Sequence, residues 1–77
     1  MTNGQLFQYI AAAQTAQGTA VSWTIKAQVT AVSATDVEWK RVDVLGGTGP
    51  VADAPLRGNI AKSAFDLYRK MGRIVLL

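Results

Sequence analysis

Apolar and polar residues alternate without a break along residues 21 to 31, which read Val-Ser-Trp-Thr-Ile-Lys-Ala-Gln-Val-Thr-Ala. A period of two is typical of a β-strand with one buried face. The face predicted to be buried, called here the Trp23 face, holds Val21, Trp23, Ile25, Ala27, Val29 and Ala31. We expect the rest of the chain to be arranged so that it covers this face.

A second strand is predicted for residues 37 to 45, after a short polar turn at residues 33 to 36. Because so short a turn joins antiparallel neighbours, the two strands are predicted to form a hairpin. Trp23 and Trp39 would then meet on its buried side.

The apolar residues of the second strand change from odd to even numbers along it: Val37, Trp39, Val42, Val44. A slip of one residue would turn half of the strand to the wrong face, and a β-bulge is the ordinary way to absorb it. We therefore predict a bulge or sharp twist at Lys40 and Arg41.

A first helix is predicted for residues 4 to 16, where apolar residues recur near helical spacing between glutamines. Thr2 and Gln5 have the spacing of a capping box, and Gly18 would end the helix. The first charged side chain of the sequence is Lys26. An uncharged helix either packs on the sheet with a glutamine-rich outer side or forms a subunit interface.

A second helix is predicted for residues 59 to 71, capped by Asp53 or Asn59 and ended by Gly72. Its apolar stripe comprises Ile60, Ala64, Leu67 and Met71, flanked by Phe65 and Tyr68. The chain then finishes on four apolar residues, 74 to 77, which we expect to add a strand to this sheet or to a neighbour's.

The glycine-rich segment at residues 46 to 50 is predicted to open a loop that runs to residue 55. A phosphate-binding loop needs Lys-Ser or Lys-Thr after its last glycine, and a dinucleotide-binding loop needs a third glycine at the proper spacing. The segment has neither, so we do not expect it to bind phosphate.

These elements predict a single α+β domain over residues 1–77, ordered as helix, β-hairpin, helix and short C-terminal strand, with an antiparallel sheet packed by two helices. Some small head-to-tail joining proteins of tailed phages share the order helix, hairpin, helix, although no residue pattern ties the chain to them.

Residues 1–77 are also uncommonly apolar: 49% are hydrophobic and 17% charged, against about 25% charged in an ordinary domain. A chain this short buries only about 60% of its unfolded surface, so we expect it to need help in hiding the Trp23 face. A homo-oligomer or a protein partner would give that help.

Catalysis by general acid–base or nucleophilic groups usually needs histidine, cysteine or a positioned carboxylate pair. The chain has no histidine and no cysteine, which also argues against a structural zinc site and a disulfide. Asp36 and Glu38 share a strand face but adjoin a turn, where solvation is the simpler role. We predict a protein that is not an enzyme and has no cofactor or metal.

No segment has the charged start and apolar core of a signal peptide, and no run approaches the roughly 18 apolar residues of a membrane span. We therefore expect no membrane insertion and a cytoplasmic or virion location.

Two functions are compatible with these features. The first is a non-enzymatic assembly or protein-interaction module, such as a virion component or an accessory protein of a mobile element, that acts through apolar self-association or partner docking. Its predicted contact residues are Leu6, Phe7, Ile10, Val75, Leu76 and Leu77.

The alternative is a small nucleic-acid-binding protein, since the net charge is +3 and the isoelectric point about 9.7. Its predicted phosphate contacts are Lys40, Arg41, Lys62, Arg69, Lys70 and Arg73.

Overall fold

A computed structural model describes residues 2–77, which form an antiparallel sheet with one α-helix on one side. The elements in chain order are β1 (Leu6–Gln14), β2 (Ala20–Val32), β3 (Asp36–Gly47), a 3₁₀ turn (Val51–Asp53), β4 (Arg57–Ala61), α1 (Lys62–Lys70) and β5 (Ile74–Leu76). The strands lie in the order β4-β3-β2-β1-β5, and every neighbouring pair is antiparallel.

The predicted helix–hairpin–helix architecture with two packed helices is therefore wrong. Residues 2–77 hold five strands and a single nine-residue α-helix. The order helix, hairpin, helix, which the chain was expected to share with some head-to-tail joining proteins, is therefore absent from residues 2–77.

Residues 4 to 16 were predicted to be helical, and they instead supply β1. Nine residues of β1 pair in register with β2, from Leu6 opposite Gln28 to Gln14 opposite Ala20. The segment also carries a period of two, because Phe7, Tyr9 and Ala11 face the core: Phe7 and Ala11 are buried, and Tyr9 packs against the core cluster. When the spacing of apolar residues fits both a helix and a strand, tertiary contacts decide which one forms. Here the hydrogen-bond ladder with β2 favours the strand.

The turns that bound β1 show why the predicted helix caps fail. The backbone N–H of Gln5 donates to the Thr2 carbonyl in a turn through Gly4, whose φ is +87°. Thr2 and Gln5 therefore form a turn and not a capping box. Gly18, with φ of +82°, lies in the reversal between β1 and β2, where its N–H donates to the Thr15 carbonyl. Each glycine permits a tight turn rather than ending a helix.

The hairpin of β2 and β3 is confirmed, and so is the burial of the Trp23 face except at Ala31. A register shift at Thr30 places Ala31 opposite Glu38 and turns Val32 toward the core instead. The six-residue face includes four residues that are at most 4% exposed: Trp23, Ile25, Ala27 and Val29. Trp39 is also buried on this side, although its aromatic contact is with Tyr9 of β1, at 5.7 Å between ring centroids.

The predicted bulge is displaced by one residue. Ala27 pairs with Arg41 and Lys26 pairs with Asp43, so Val42 is the extra residue and is 51% exposed. Arg41 stays on the core side, where it donates to the Ala54 carbonyl at 3.1 Å. Because of the bulge, the even-numbered Val44 lies on the same side of the sheet as the odd-numbered Val37 and Trp39. This is the shift that the change from odd to even apolar positions predicts.

The second helix is shorter than predicted because residues 57–61 pair with β3 as β4. Neither Asp53 nor Asn59 caps it: the first helical residue follows Ala61, and the Lys62 N–H donates to the Thr35 carbonyl. Asn59 lies within β4, and Asp53 ends the 3₁₀ turn.

The end of α1 at Gly72 is confirmed. Gly72 has φ of +79°, its N–H donates to the Arg69 carbonyl, and the Arg73 N–H donates to the Tyr68 carbonyl. These two bonds form a Schellman motif, which glycine favours because it adopts a positive φ without strain.

The predicted apolar stripe is only partly correct. Phe65 is buried and Ala64 and Tyr68 pack against the core, but Leu67 and Met71 are 54% and 60% exposed. A helix of nine residues on a sheet buries a narrower face than the stripe predicted from the sequence.

The loop predicted for residues 46 to 55 begins later, since β3 runs to Gly47. It folds back onto the Trp23 side chain, whose indole N–H donates to the Pro50 carbonyl at 3.0 Å. The N–H groups of Thr48 and Gly49 both donate to the Ser22 carbonyl. Because these groups bind the protein itself, they are not free to bind an anion.

The chain buries the Trp23 face by itself, with α1 over one end and residues 48 to 54 over the other. The expectation that this face requires a neighbour is therefore wrong. The accessible surface, 4769 Å², is close to the roughly 4,500 Å² typical of a folded monomer of this mass. Any docking surface has to be sought elsewhere on the molecule.

The C-terminal strand is confirmed: β5 pairs with β1 of its own sheet. Among residues 2–77, the sole α-helix is too short to cross a bilayer.

Candidate docking surface

The side of the sheet opposite α1, called here the open face, is covered by no layer formed from residues 2–77. Its residues are those whose neighbours along the strand point to the core, and they are half-buried or exposed. An antiparallel sheet tolerates one uncovered side, so this feature alone does not indicate a partner. The distribution of side chains across the open face is more informative.

Apolar side chains gather at one corner of the open face, where β1 and β5 pair. We call this set, Leu6, Ile10, Val75 and Leu77, the apolar corner. Ile10, Val75 and Leu77 are 38%, 50% and 57% exposed, and Leu6 is half-buried. Gln8 lies among them as the direct cross-strand partner of Val75.

The apolar corner contains four of the six residues that the sequence predicted to contact a partner. Leu77 belongs to it because its N–H donates to the Leu6 carbonyl and strand residues alternate sides. The other two predicted residues, Phe7 and Leu76, face the core: Phe7 is fully buried, and Leu76 packs against the core cluster. Their assignment to a partner surface does not fit these positions.

The backbone of β5 is unpaired on its outer side, because β5 is an edge of the sheet. Bonds from Leu77 to Leu6 and from Ile10 to Arg73 tie its odd-numbered residues to β1. Hydrogen bonds alternate along an antiparallel pair, so the N–H and C=O groups of Ile74 and Leu76 point away from β1. No charged side chain lies between Ile74 and Leu77.

At the other edge of the open face, where β3 pairs with β4, the side chains are polar and charged. Lys40 of β3 and Arg57 of β4 are direct cross-strand partners, and Glu38 faces Asn59 in the next pair. These residues border an open groove of about 570 Å³. Charged side chains on an edge strand discourage pairing with another chain, and the β4 edge carries such a charge at Arg57 whereas the β5 edge carries none.

The six basic residues predicted to bind nucleic acid are not brought together. Lys40 lies on the open face, whereas Arg41 lies on the other side of the sheet and is bound to the Ala54 carbonyl. Lys62 begins α1, and Arg69 and Lys70 lie in its last turn.

Arg73, the sixth of these residues, is held by neighbouring groups. Its guanidinium carbon lies 4.4 Å from the Tyr68 ring centroid, and its side chain donates to the Ile10 carbonyl at 3.1 Å. Tyr68 in turn stacks on Tyr9, with ring centroids 6.2 Å apart. This arrangement anchors the start of β5 beneath the end of α1.

Burial raises the pKa of the Tyr9 hydroxyl above its usual value, and the neighbouring Tyr68 adds to the increase, while the positive charge of Arg73 opposes it. Tyr9 faces the core side of the sheet, so its shifted pKa reflects packing and not a reactive group on the open face.

Sequence reasoning missed the polar residues that surround the apolar corner, chiefly Gln8, Thr24 and Lys26. Thr24 and Lys26 are polar positions of the first predicted strand, residues 21 to 31, but residues 4 to 16 were predicted to be a helix, so the neighbours of these two side chains were missed. Reading Phe7, Tyr9 and Ala11 as an alternating set would have placed Gln8 and Ile10 on the open face.

Comparison of the chain with protein-family models, with curated proteins and with solved structures finds no match.

Proposed function

We propose that this protein is a non-enzymatic assembly module that associates with further copies of itself through the apolar corner of the open face. The observation that supports the proposal is that Leu6 and Ile10 lie beside Val75 and Leu77, from the other end of the sequence, next to an unpaired strand edge.

The composition of the corner supports association driven by apolar burial. Val75 and Leu77 leave half or more of their surface in water. Burying apolar surface contributes about 25 cal/mol per Å². Of the polar groups around the corner, Gln8 and Thr24 are uncharged, and Lys26 lies one strand further in, beside Gln8. An apolar centre with a polar rim is the ordinary anatomy of a protein interface.

The test is sedimentation of the chain across a range of concentrations, comparing the wild type with Val75→Lys. The wild type is expected to associate at concentrations of tens of micromolar, and Val75→Lys to sediment as a monomer. The lysine would bring two like charges together at the interface and leave its ammonium desolvated.

Leu56→Lys is the matched control, because it adds the same charge at an apolar residue that is 68% exposed and adjoins β4, at the opposite edge of the sheet. It should associate as the wild type does. A wild type that remains monomeric at about 100 μM, or a Leu56→Lys variant that loses association equally, would refute the proposal.

A further inference from the structure

The unpaired outer edge of β5 indicates how two copies would meet. We infer that β5 pairs antiparallel with β5 of a second copy about a two-fold axis at Val75, joining two five-stranded sheets into one of ten strands. This inference rests on the proposed function, because it specifies the geometry of the self-association proposed above.

The register follows from the direction of the backbone groups. Ile74 and Leu76 present their N–H and C=O groups outward, since the residues flanking them bond to β1. When the two strands are centred on Val75, Ile74 of each copy faces Leu76 of the other. Both outward residues of each copy are then satisfied, which a register shifted toward either end of β5 does not achieve.

The side chains agree with this register. Val75 of one copy lies directly opposite Val75 of the other on the open face, so the two apolar corners become continuous. A two-fold axis makes the same patch serve both copies, as in most homodimers.

The other free edge is a poorer partner for β5. Pairing β5 with β4 of another copy would place Val75 beside Arg57, Asn59 or Ala61, the open-face residues of β4, of which the first two are charged or polar. That contact is head-to-tail and does not close on itself. The uncharged β5 edge is therefore matched to itself.

Single-cysteine variants provide the test, because the chain has no cysteine of its own. Facing residues of a non-hydrogen-bonded antiparallel pair have Cα atoms about 4.5 Å apart, which is within the range of disulfides. Val75→Cys is expected to form, under mild oxidation, a covalent species of twice the chain mass that a reductant reverses.

Ile10→Cys is the control, since Ile10 belongs to the same apolar corner but lies on β1. In the proposed dimer the two copies of residue 10 are separated by three strand spacings, about 14 Å, across the sheet and by about four residues along the strands, which is beyond disulfide reach. Ile10→Cys should therefore cross-link at least about tenfold more slowly than Val75→Cys.

The outcomes separate this inference from the proposed function. If the wild type associates and Ile10→Cys cross-links as fast as Val75→Cys, the corners stack face to face, and the edge pairing is wrong while self-association stands. If an Asn59→Cys/Val75→Cys variant forms a ladder of covalent multimers while Val75→Cys alone forms no dimer, the contact is head-to-tail and the two-fold register is wrong. If the wild type does not associate at all, the proposed function itself fails.

Discussion

At the scale of single residues, the two tryptophans have different surroundings despite equal burial. Trp23 and Trp39 are each 4% exposed. The indole N–H of Trp23 donates to the Pro50 carbonyl, whereas that of Trp39 is buried without a hydrogen-bond partner among residues 2–77. Trp23 is therefore fixed by both packing and hydrogen bonding, and the loop that crosses it depends on that fixed position.

Gly49 allows the loop to approach the Trp23 ring. A Cβ atom at Gly49 would lie 2.5 Å from ring carbons of Trp23, so Gly49→Ala should lower the free energy of unfolding by about 1–3 kcal/mol through overpacking. Gly46→Ala is the matched control, because a Cβ at Gly46 meets nothing within 4 Å. Urea unfolding followed by tryptophan fluorescence measures both, and equal effects would show that the loop does not press on the ring.

Tyr9 makes stability depend on pH in the alkaline range. Its pKa is raised in the fold, chiefly by burial, so the unfolded chain, with a phenolic pKa of about 10, loses that proton at lower pH than the folded chain. The resulting stabilisation is complete below pH about 10 and is lost as pH rises through the higher folded pKa.

We expect Tyr9→Phe to lose less stability between pH 9 and about 11 than the wild type does. Urea midpoints measured across that range provide the comparison. Every other side chain is the same in the two proteins, so the difference between the two curves reports on Tyr9. A wild-type curve parallel to that of Tyr9→Phe would contradict the assigned pKa shift.

At the scale of elements, α1 packs on the sheet through two aromatic contacts. The Phe65 ring meets the Phe7 ring edge-on at 5.3 Å between centroids, and the Tyr68 ring stacks on Tyr9. Leu67 is 54% exposed in this orientation. From spacing alone, Leu67 and Met71 were predicted to face the core together with Ala64. The structure shows instead that the helix is held by Phe65, with Ala64 and Tyr68 beside it.

This orientation predicts an unequal cost for two truncations on the same helix. Phe65→Ala should lower the free energy of unfolding by about 3–5 kcal/mol, as expected for a buried phenylalanine, whereas Leu67→Ala should cost less than about 1 kcal/mol. Thermal unfolding monitored by circular dichroism reports both. Similar losses would mean that the helix faces the sheet through Leu67 as well.

At the scale of the whole molecule, the fold is a sheet with one covered side and one open side. The chain hides its tryptophans with its own helix and loop, so the core does not require a partner. The surface assigned to the proposed self-association is the apolar corner of the open face, which adjoins the β5 edge.

Self-association would couple folding to protein concentration, because a dimer that forms only from folded chains stabilises them by mass action. We expect the wild-type unfolding temperature to rise between about 10 μM and 1 mM by an amount on the order of 1 kcal/mol per chain, or about 4–8 °C. Because apolar burial drives the contact, 1 M salt should not abolish the rise. Val75→Lys should unfold at the same temperature throughout, and a wild type that did likewise would argue against assembly.

The sequence by itself determined the elements whose pattern allowed one interpretation. Residues 21 to 31 alternate too regularly to be a helix, the phase change after Trp39 demanded a bulge, and Gly72 could end a helix at positive φ without strain. Each of these is a local constraint, satisfied within a few residues of where it is read.

The tertiary structure alone decided the rest, because it depends on contacts between distant residues. Residues 4 to 16 carry both a helical and a strand period, and only the ladder with β2 resolves that ambiguity. Leu6 and Ile10 meet Val75 and Leu77 only because β5 returns beside β1. A pattern along the chain reports which residues prefer burial, whereas the pairing of strands decides which of them share a face.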